Sequence, residues 1–214
     1  MSVVEAFGRA LAERGYVADS AQMAAAERLQ RMHDEFVAYK AQRSNRLKKL
    51  INRPALPRGV WLYGGVGRGK SFLMDCFFEA VPYQRKRRVH FHAFMREIHE
   101  RLQALKNEAD PLAKVAAQVA RETRLMCFDE FHVSDIADAM ILGRLMEALF
   151  ESGVLFCITS NYPPDGLYPN GLQRERLLPT IALLNDQLDV IKIDAGIDYR
   201  LRALQQADIY HCPA

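Results

Sequence analysis

The run Gly64-Gly65-Val66-Gly67-Arg68-Gly69-Lys70-Ser71 constrains this chain more than any other segment. It fits G-x-x-x-x-G-K-[ST], a loop that cradles phosphate. Each residue type has a chemical reason. Glycines let the backbone curl so that successive N–H groups converge on phosphate oxygens. A lysine at the end of the loop reaches the β- and γ-phosphates, and the serine after it supports Mg²⁺. The chemistry requires the order strand, glycine loop, helix. Arg58 to Tyr63 reads as the strand, and Ser71 to Phe78 as a helix with apolar residues on its inner side. Gly64, Gly65, Val66, Gly67, Arg68, Gly69, Lys70 and Ser71 are therefore the expected nucleotide-binding residues.

The pattern around the loop sets the fold class. From Arg58 onward short apolar strands alternate with helices: strands near 59–63, 87–92, 124–128, 154–159 and 188–194, helices near 70–80, 93–106, 111–121, 135–152 and 174–185. Near-continuous apolar strands alternating with helices predict an α/β protein, a five-stranded parallel sheet covered on both faces. Residues 1–57 read as an N-terminal helical segment and linker, and 58–214 as the core that carries the phosphate loop. A short helix is expected over 3–13. A longer one over 20–50 has Ser20 as its cap and an apolar stripe of Leu29, Met32, Phe36 and Tyr39. Asn52 to Pro57 breaks it.

Composition closes off other classes. The chain has 214 residues, enough for one sizeable core, and a net charge of +3, too small to argue for a polyanionic partner. Four scattered cysteines form no C-x-x-C pair and favour a reducing compartment. No apolar run approaches the roughly 20 residues that span a bilayer. Acidic residues near the N-terminus argue against a targeting peptide, so the expected location is the cytoplasm.

Three more positions carry chemistry. Leu125-Met126-Cys127-Phe128 ends in Asp129-Glu130, a strand that delivers two acids to the edge where open α/β folds bind ligands. Asp129 is expected to support Mg²⁺ through water, and Glu130 to polarise the attacking water as a general base. Thr159-Ser160-Asn161 ends the next strand. Asn161 there can sense the γ-phosphate and the water, or can simply form a turn. Arg174 or Arg176, after the Pro- and Gly-rich loop 161–171, is either a surface residue or an arginine given to a neighbouring subunit. The basic run Arg85 to Arg88 reads as a solvated loop, since no aromatic platform accompanies it. His90 and His92 read as two residues on one strand face, without the further ligands of a zinc site.

Arg58 to Ser71, Val89-His90-Phe91-His92, Cys127 to Phe131 and Val133 to Met140 together resemble the ZapE family of AAA+ ATPases and its mitochondrial AFG-type, LACE-like relatives. Thr159 to Asn161, Gly171-Leu172-Gln173-Arg174, Leu178-Pro179 and Asp194 to Arg202 extend the resemblance over essentially the whole chain. It implies a P-loop sheet in the order 5-1-4-3-2 and hydrolysis of ATP with Mg²⁺. It implies coupling of that hydrolysis to remodelling of a protein partner, in bacteria the tubulin-like division protein FtsZ. It favours Arg174 as the arginine that reaches a neighbouring copy in a homo-oligomer. Family members continue beyond the position of Ala214 into a helical lid, which the chain is expected to lack. Two other readings share the same core: a helicase-loader type of ATPase linked to nucleic acid, and a lidless nucleotide-binding module without useful turnover.

Overall fold

The computed structural model describes residues 2–43 and 54–193. Five parallel strands form one sheet: β1 (Gly59–Tyr63), β2 (Lys86–His90), β3 (Leu125–Asp129), β4 (Leu155–Ser160) and β5 (Leu188–Lys192). Their order is β2-β3-β4-β1-β5, the expected 5-1-4-3-2 read from the other edge. Helices α1 (Val3–Ala12), α2 (Ser20–Gln42) and α3 (Lys70–Ala80) cover one face. Helices α4 (Phe91–Ala104), α5 (Pro111–Glu122), α6 (Ile136–Glu151) and α7 (Leu178–Gln187) cover the other.

Strand periodicity builds this sandwich. Successive side chains point to opposite faces. Val60, Leu62, Leu125, Cys127, Leu155 and Cys157 pack toward α1, α2 and α3. Trp61, Met126, Phe128, Phe156 and Ile158 pack toward the other helices. Both faces are thus apolar, which explains why these strands carry unbroken apolar runs instead of alternation. Gly59 is required by contact: a Cβ there would lie 2.4 Å from the Phe156 carbonyl oxygen.

Several boundaries differ from the sequence reading. Asp19, not Ser20, caps α2: its carboxylate accepts from the Gln22 N–H at 2.8 Å, and Gln22 Oε1 accepts from the Asp19 N–H at 3.2 Å. A Gln three residues on completes the reciprocal pair for Asp19. Helix α2 ends at Gln42 with Arg43 as its C-cap, and the expected continuation to 50 lies outside the described residues. Asp135 caps α6, accepting from the Asp138 N–H at 2.9 Å. Strand β2 stops at His90, so His92 belongs to α4 and the two histidines do not share a strand face. The helix expected over 174–185 is divided into a 3-10 turn, Arg174–Arg176, and α7. Pro179 has no N–H to continue the preceding turn, but it suits the first turn of a new helix. The Asp194 to Arg202 segment lies outside the described residues.

Candidate functional site

The glycine loop leaves β1 at Gly64 and enters α3 at Lys70. Gly64, Gly67 and Gly69 have φ of 149°, 79° and 81°, a region costly for any side chain. Gly64 is also closely covered: a Cβ would sit 2.1 Å from the Ile193 carbonyl oxygen. Lys70 is buried, and its Nζ donates to the carbonyls of Gly64 at 2.8 Å and Gly65 at 2.7 Å. Asn161 Oδ1 lies 3.4 Å from the same Nζ. The loop thus holds its own lysine ammonium at the mouth of the α3 N-terminus, where N–H groups point outward.

Strand register brings the acids alongside. Asp129 is 3% exposed. Its Oδ1 accepts from Ser71 Oγ at 2.7 Å and Thr159 Oγ1 at 2.6 Å, and its Oδ2 accepts from Arg88 Nη2 at 2.8 Å. Burial alone would raise its pKa. The hydrogen bonds from Thr159 and Ser71, with the Arg88 charge, outweigh burial and hold the carboxyl below its ordinary value. Among the described residues no three His, Cys, Asp or Glu side chains could cage a metal. A hydroxyl and a carboxylate at the foot of a phosphate loop do suit Mg²⁺, a hard cation that takes one or two protein oxygens and finds the rest on phosphate and water.

Glu130 follows Asp129 with φ 54°. Its N–H donates to Thr159 Oγ1 at 3.1 Å, the Phe131 N–H donates to the Thr159 carbonyl at 2.8 Å, and Ser160 Oγ donates to the Phe131 carbonyl at 2.7 Å. Phe131 is fully buried, with ring centroids 3.9 Å from Phe91 and 5.0 Å from Trp61. These contacts fix the turn while the Glu130 side chain stays 75% exposed, 3.7 Å from His90 Nδ1. A rigid turn with an exposed carboxylate is what a group that must reach a water needs.

A cavity of about 430 Å³ joins these groups. Lys70, Ser71, Glu130, Thr159 and Asn161 line its inner end. Its outer wall is Phe7, Leu11, Arg14 and Tyr16 with Gln22 and Phe72. The sequence reading misses that wall: it expects a short helix over 3–13 and assigns it no part in the site. The available signal was the apolar spacing Val3, Ala6, Phe7, Leu11, all buried in α1. Gln22 Nε2 donates to the Arg68 carbonyl at 3.0 Å and ties the start of α2 to the glycine loop.

The remaining residues divide. Arg174 donates from Nη2 to the Asp165 carbonyl at 2.8 Å and from Nε to the Leu167 carbonyl at 3.4 Å, within its own chain. Arg176 Nη1 lies 3.8 Å from Met140 Sδ. The basic run is not a solvated loop, because edge strand β2 faces acids and helix-end carbonyls. Lys86 donates to the carbonyls of Phe78 and Val81, Arg87 forks onto Glu97, and Arg88 reaches Asp75 and Asp129.

The AFG1-like ATPase family profile matches residues 1–214. The chain belongs to the AFG1-like ATPase family. It is 45% identical over 216 residues to the cell division protein ZapE of Escherichia coli K12, covering 96% of this chain and 58% of that protein. It is 46% identical over 167 residues to lactation elevated protein 1 homolog B of Danio rerio, covering 73% of this chain and 33% of that protein. The chain thus spans less than two thirds of the length of these relatives. Among solved structures, AMPPCP-bound DnaA from Aquifex aeolicus is similar with a TM-score of 0.55 at 13% identity, over 91% of this chain and 53% of that one. That likeness is one of fold: this family member has the P-loop AAA+ architecture.

Proposed function

We propose that this chain is the ATP-hydrolysing core of a protein that uses turnover to remodel a partner in cell division. The observation that carries the enzymatic part is the convergence on one cavity of Lys70, Ser71 and the exposed Glu130 carboxylate, with Asp129 behind Ser71 at 2.7 Å. The triphosphate lies along the amides of Gly64 to Ser71, with Lys70 on the β- and γ-phosphates. The adenine points to the wall of Phe7, Leu11 and Tyr16, an apolar surface suited to a flat aromatic base. Ser71 and, through water, Asp129 would hold Mg²⁺, which would supply positive charge to offset that of the phosphates.

Glu130 orients a water and takes its proton as the oxygen attacks the γ-phosphorus. The bond to the bridging oxygen breaks, and ADP and phosphate leave. Asn161, within 3.4 Å of Lys70 Nζ, reports on the γ-phosphate. Arg174, given by a neighbouring copy, offsets the charge that builds on the transferred group. The protein partner is FtsZ or another part of the division machinery. The working location is the cytoplasm, with recruitment to the division site. In support, no helix among the described residues is long and apolar enough to cross a membrane, and the E. coli relative is named as a cell division protein.

The test is steady-state ATP turnover of Glu130→Gln against the unaltered protein. Loss of a general base should lower kcat by about 10²-fold or more while ATP affinity stays within a few-fold. Unchanged turnover would remove Glu130 from the mechanism. FtsZ polymers whose length or bundling responds to ATP with this protein, but not with Glu130→Gln, would support the partner. No response with either would remove it.

A further inference from the structure

Arg88 has no part in the reading above, yet it completes a closed ring of contacts at the metal side of the site. Ser71 and Asp75 are four residues apart on α3 and so share one face of that helix. Arg88 pairs in register with Cys127 of β3, so its side chain rises on the α3 side of the sheet, next to Asp129. Its guanidinium meets Asp75 through Nε and Asp129 Oδ2 through Nη2, the latter at 2.8 Å. Asp129 Oδ1 in turn accepts from Ser71 at 2.7 Å. The ring runs Ser71, Asp129, Arg88, Asp75 and back along one turn of α3.

We propose that Arg88 is a positioning residue for the metal side of the site. Its guanidinium locks one oxygen of Asp129 so that the other stays aimed at Ser71 and at the metal. A carboxylate can rotate about its last bond. Thr159 and Ser71 both act on Oδ1 and leave Oδ2 to one partner among the described contacts, Arg88. Anchoring both ends of the carboxylate removes that rotation. Arginine suits the task better than lysine, because its flat fork can bond one acid through Nη2 and pair with a second beside Nε, while an ammonium is a point charge. Asp75 is the counterweight: it holds the other side of the fork, so that Arg88 turns neither toward solvent nor into the metal's place. The edge strand β2 and the helix after the phosphate loop are thereby joined through the acid at the end of β3.

The inference rests on the proposed metal role of Asp129, and the experiment separates the two. Binding of a non-hydrolysable ATP analogue is measured with Mg²⁺ and with EDTA for the unaltered protein, Arg88→Lys, Arg88→Ala, Asp75→Asn and Asp129→Asn. The readout is the ratio of the two Kd values, the gain that Mg²⁺ brings. Loss of a residue that orients a metal ligand costs about tenfold or more in metal affinity. The expected result is a ratio lowered about tenfold in both Arg88 variants, less in Asp75→Asn, with metal-free Kd within about twofold of the unaltered protein. Arg88→Lys keeps a cation on β2 and serves if Arg88→Ala does not fold. An unchanged ratio in Arg88→Lys and Arg88→Ala, with a lowered one in Asp129→Asn, overturns the role of Arg88 alone. An unchanged ratio in Asp129→Asn overturns the metal role of Asp129 and this inference with it. Equal losses of Tm and of metal-free affinity, with the ratio intact, make Arg88 structural and also overturn the inference.

Discussion

At Glu130 the backbone turns out of β3 with φ 54°, a conformation that non-glycine residues adopt rarely. The hydrogen bonds from Glu130, Phe131 and Ser160 that cross between this turn and the end of β4 hold it there. Such conformations persist where the surroundings over-determine them, and they cluster at functional sites. Asp129, one residue earlier, has the opposite character: buried, with each oxygen engaged. Its pKa is lower in the fold than in the unfolded chain, so the folded state binds its proton less readily. The stabilisation is therefore present above the unfolded value of about 3.9 and is lost as pH falls through the lower folded value. Asp129→Asn should accordingly flatten the fall of stability in that acid window. Urea midpoints at a series of pH values for both proteins would show it, and parallel curves would contradict it.

Helix α1 is the element whose role extends furthest beyond its sequence signal. Its Ser2–Glu5 capping box starts it, and Val3, Ala6, Phe7 and Leu11 bury one stripe against α2 and α3. Phe7 is 1% exposed and packs 5.6 Å, ring to ring, from Phe72 at the start of α3. Phe7→Ala should cost about 3 kcal/mol of folding stability and weaken nucleotide binding by opening the outer wall of the cavity. Lower Tm with unchanged affinity would leave the packing argument standing and remove the wall from nucleotide binding. The central strands make a second prediction. Cys127 and Cys157 face each other across β3 and β4, fully buried, and burial drives the Cys127 thiol well above its ordinary pKa. Burial likewise pushes Cys76 up to about 11. Little thiolate exists at Cys76 or Cys127 in the native state at neutral pH. Mass-mapped alkylation at pH 8 should leave Cys76 and Cys127 unlabelled until denaturant is added.

For the whole molecule, the sheet order brings three strand ends to one edge. Strand β1 lies between β4 and β5, and β4 between β1 and β3, so the phosphate loop, Asn161 and the Asp129-Glu130 pair become neighbours although 91 residues separate Lys70 from Asn161. Arg174, fixed to Asp165 and Leu167, lies in the segment after β4 that leads to α7. If it serves a neighbouring copy, two inactive proteins should complement each other. Arg174→Ala keeps an intact loop and base, and Glu130→Gln keeps an intact arginine. Mixing them should restore part of the turnover that each lacks, with a dependence on total concentration. No gain on mixing would assign Arg174 to its own chain's loop geometry.

Much of this protein is determined by local chemistry, and that part was legible in the sequence. The glycines at positive φ, the lysine and serine that follow them, the apolar strand runs and the Asp129-Glu130 strand end all carry their meaning within a few residues. Backbone sterics and side-chain period do not depend on what lies across the molecule. The boundaries that differ, such as Asp19 for Ser20 and the end of β2 at His90, turn on one reciprocal pair of hydrogen bonds and one change of period. What only the tertiary structure decided is which charges meet. Arg88 sits in a run of four basic residues that looks solvated in one dimension, and its partners are 13 residues back and 41 residues ahead. Phe7 and Tyr16 reach the cavity beside the glycine loop only because α1 folds back over α3. An ion pair or a pocket wall is a relation between distant residues, fixed when the sheet closes and burial makes an unpaired charge too costly to leave.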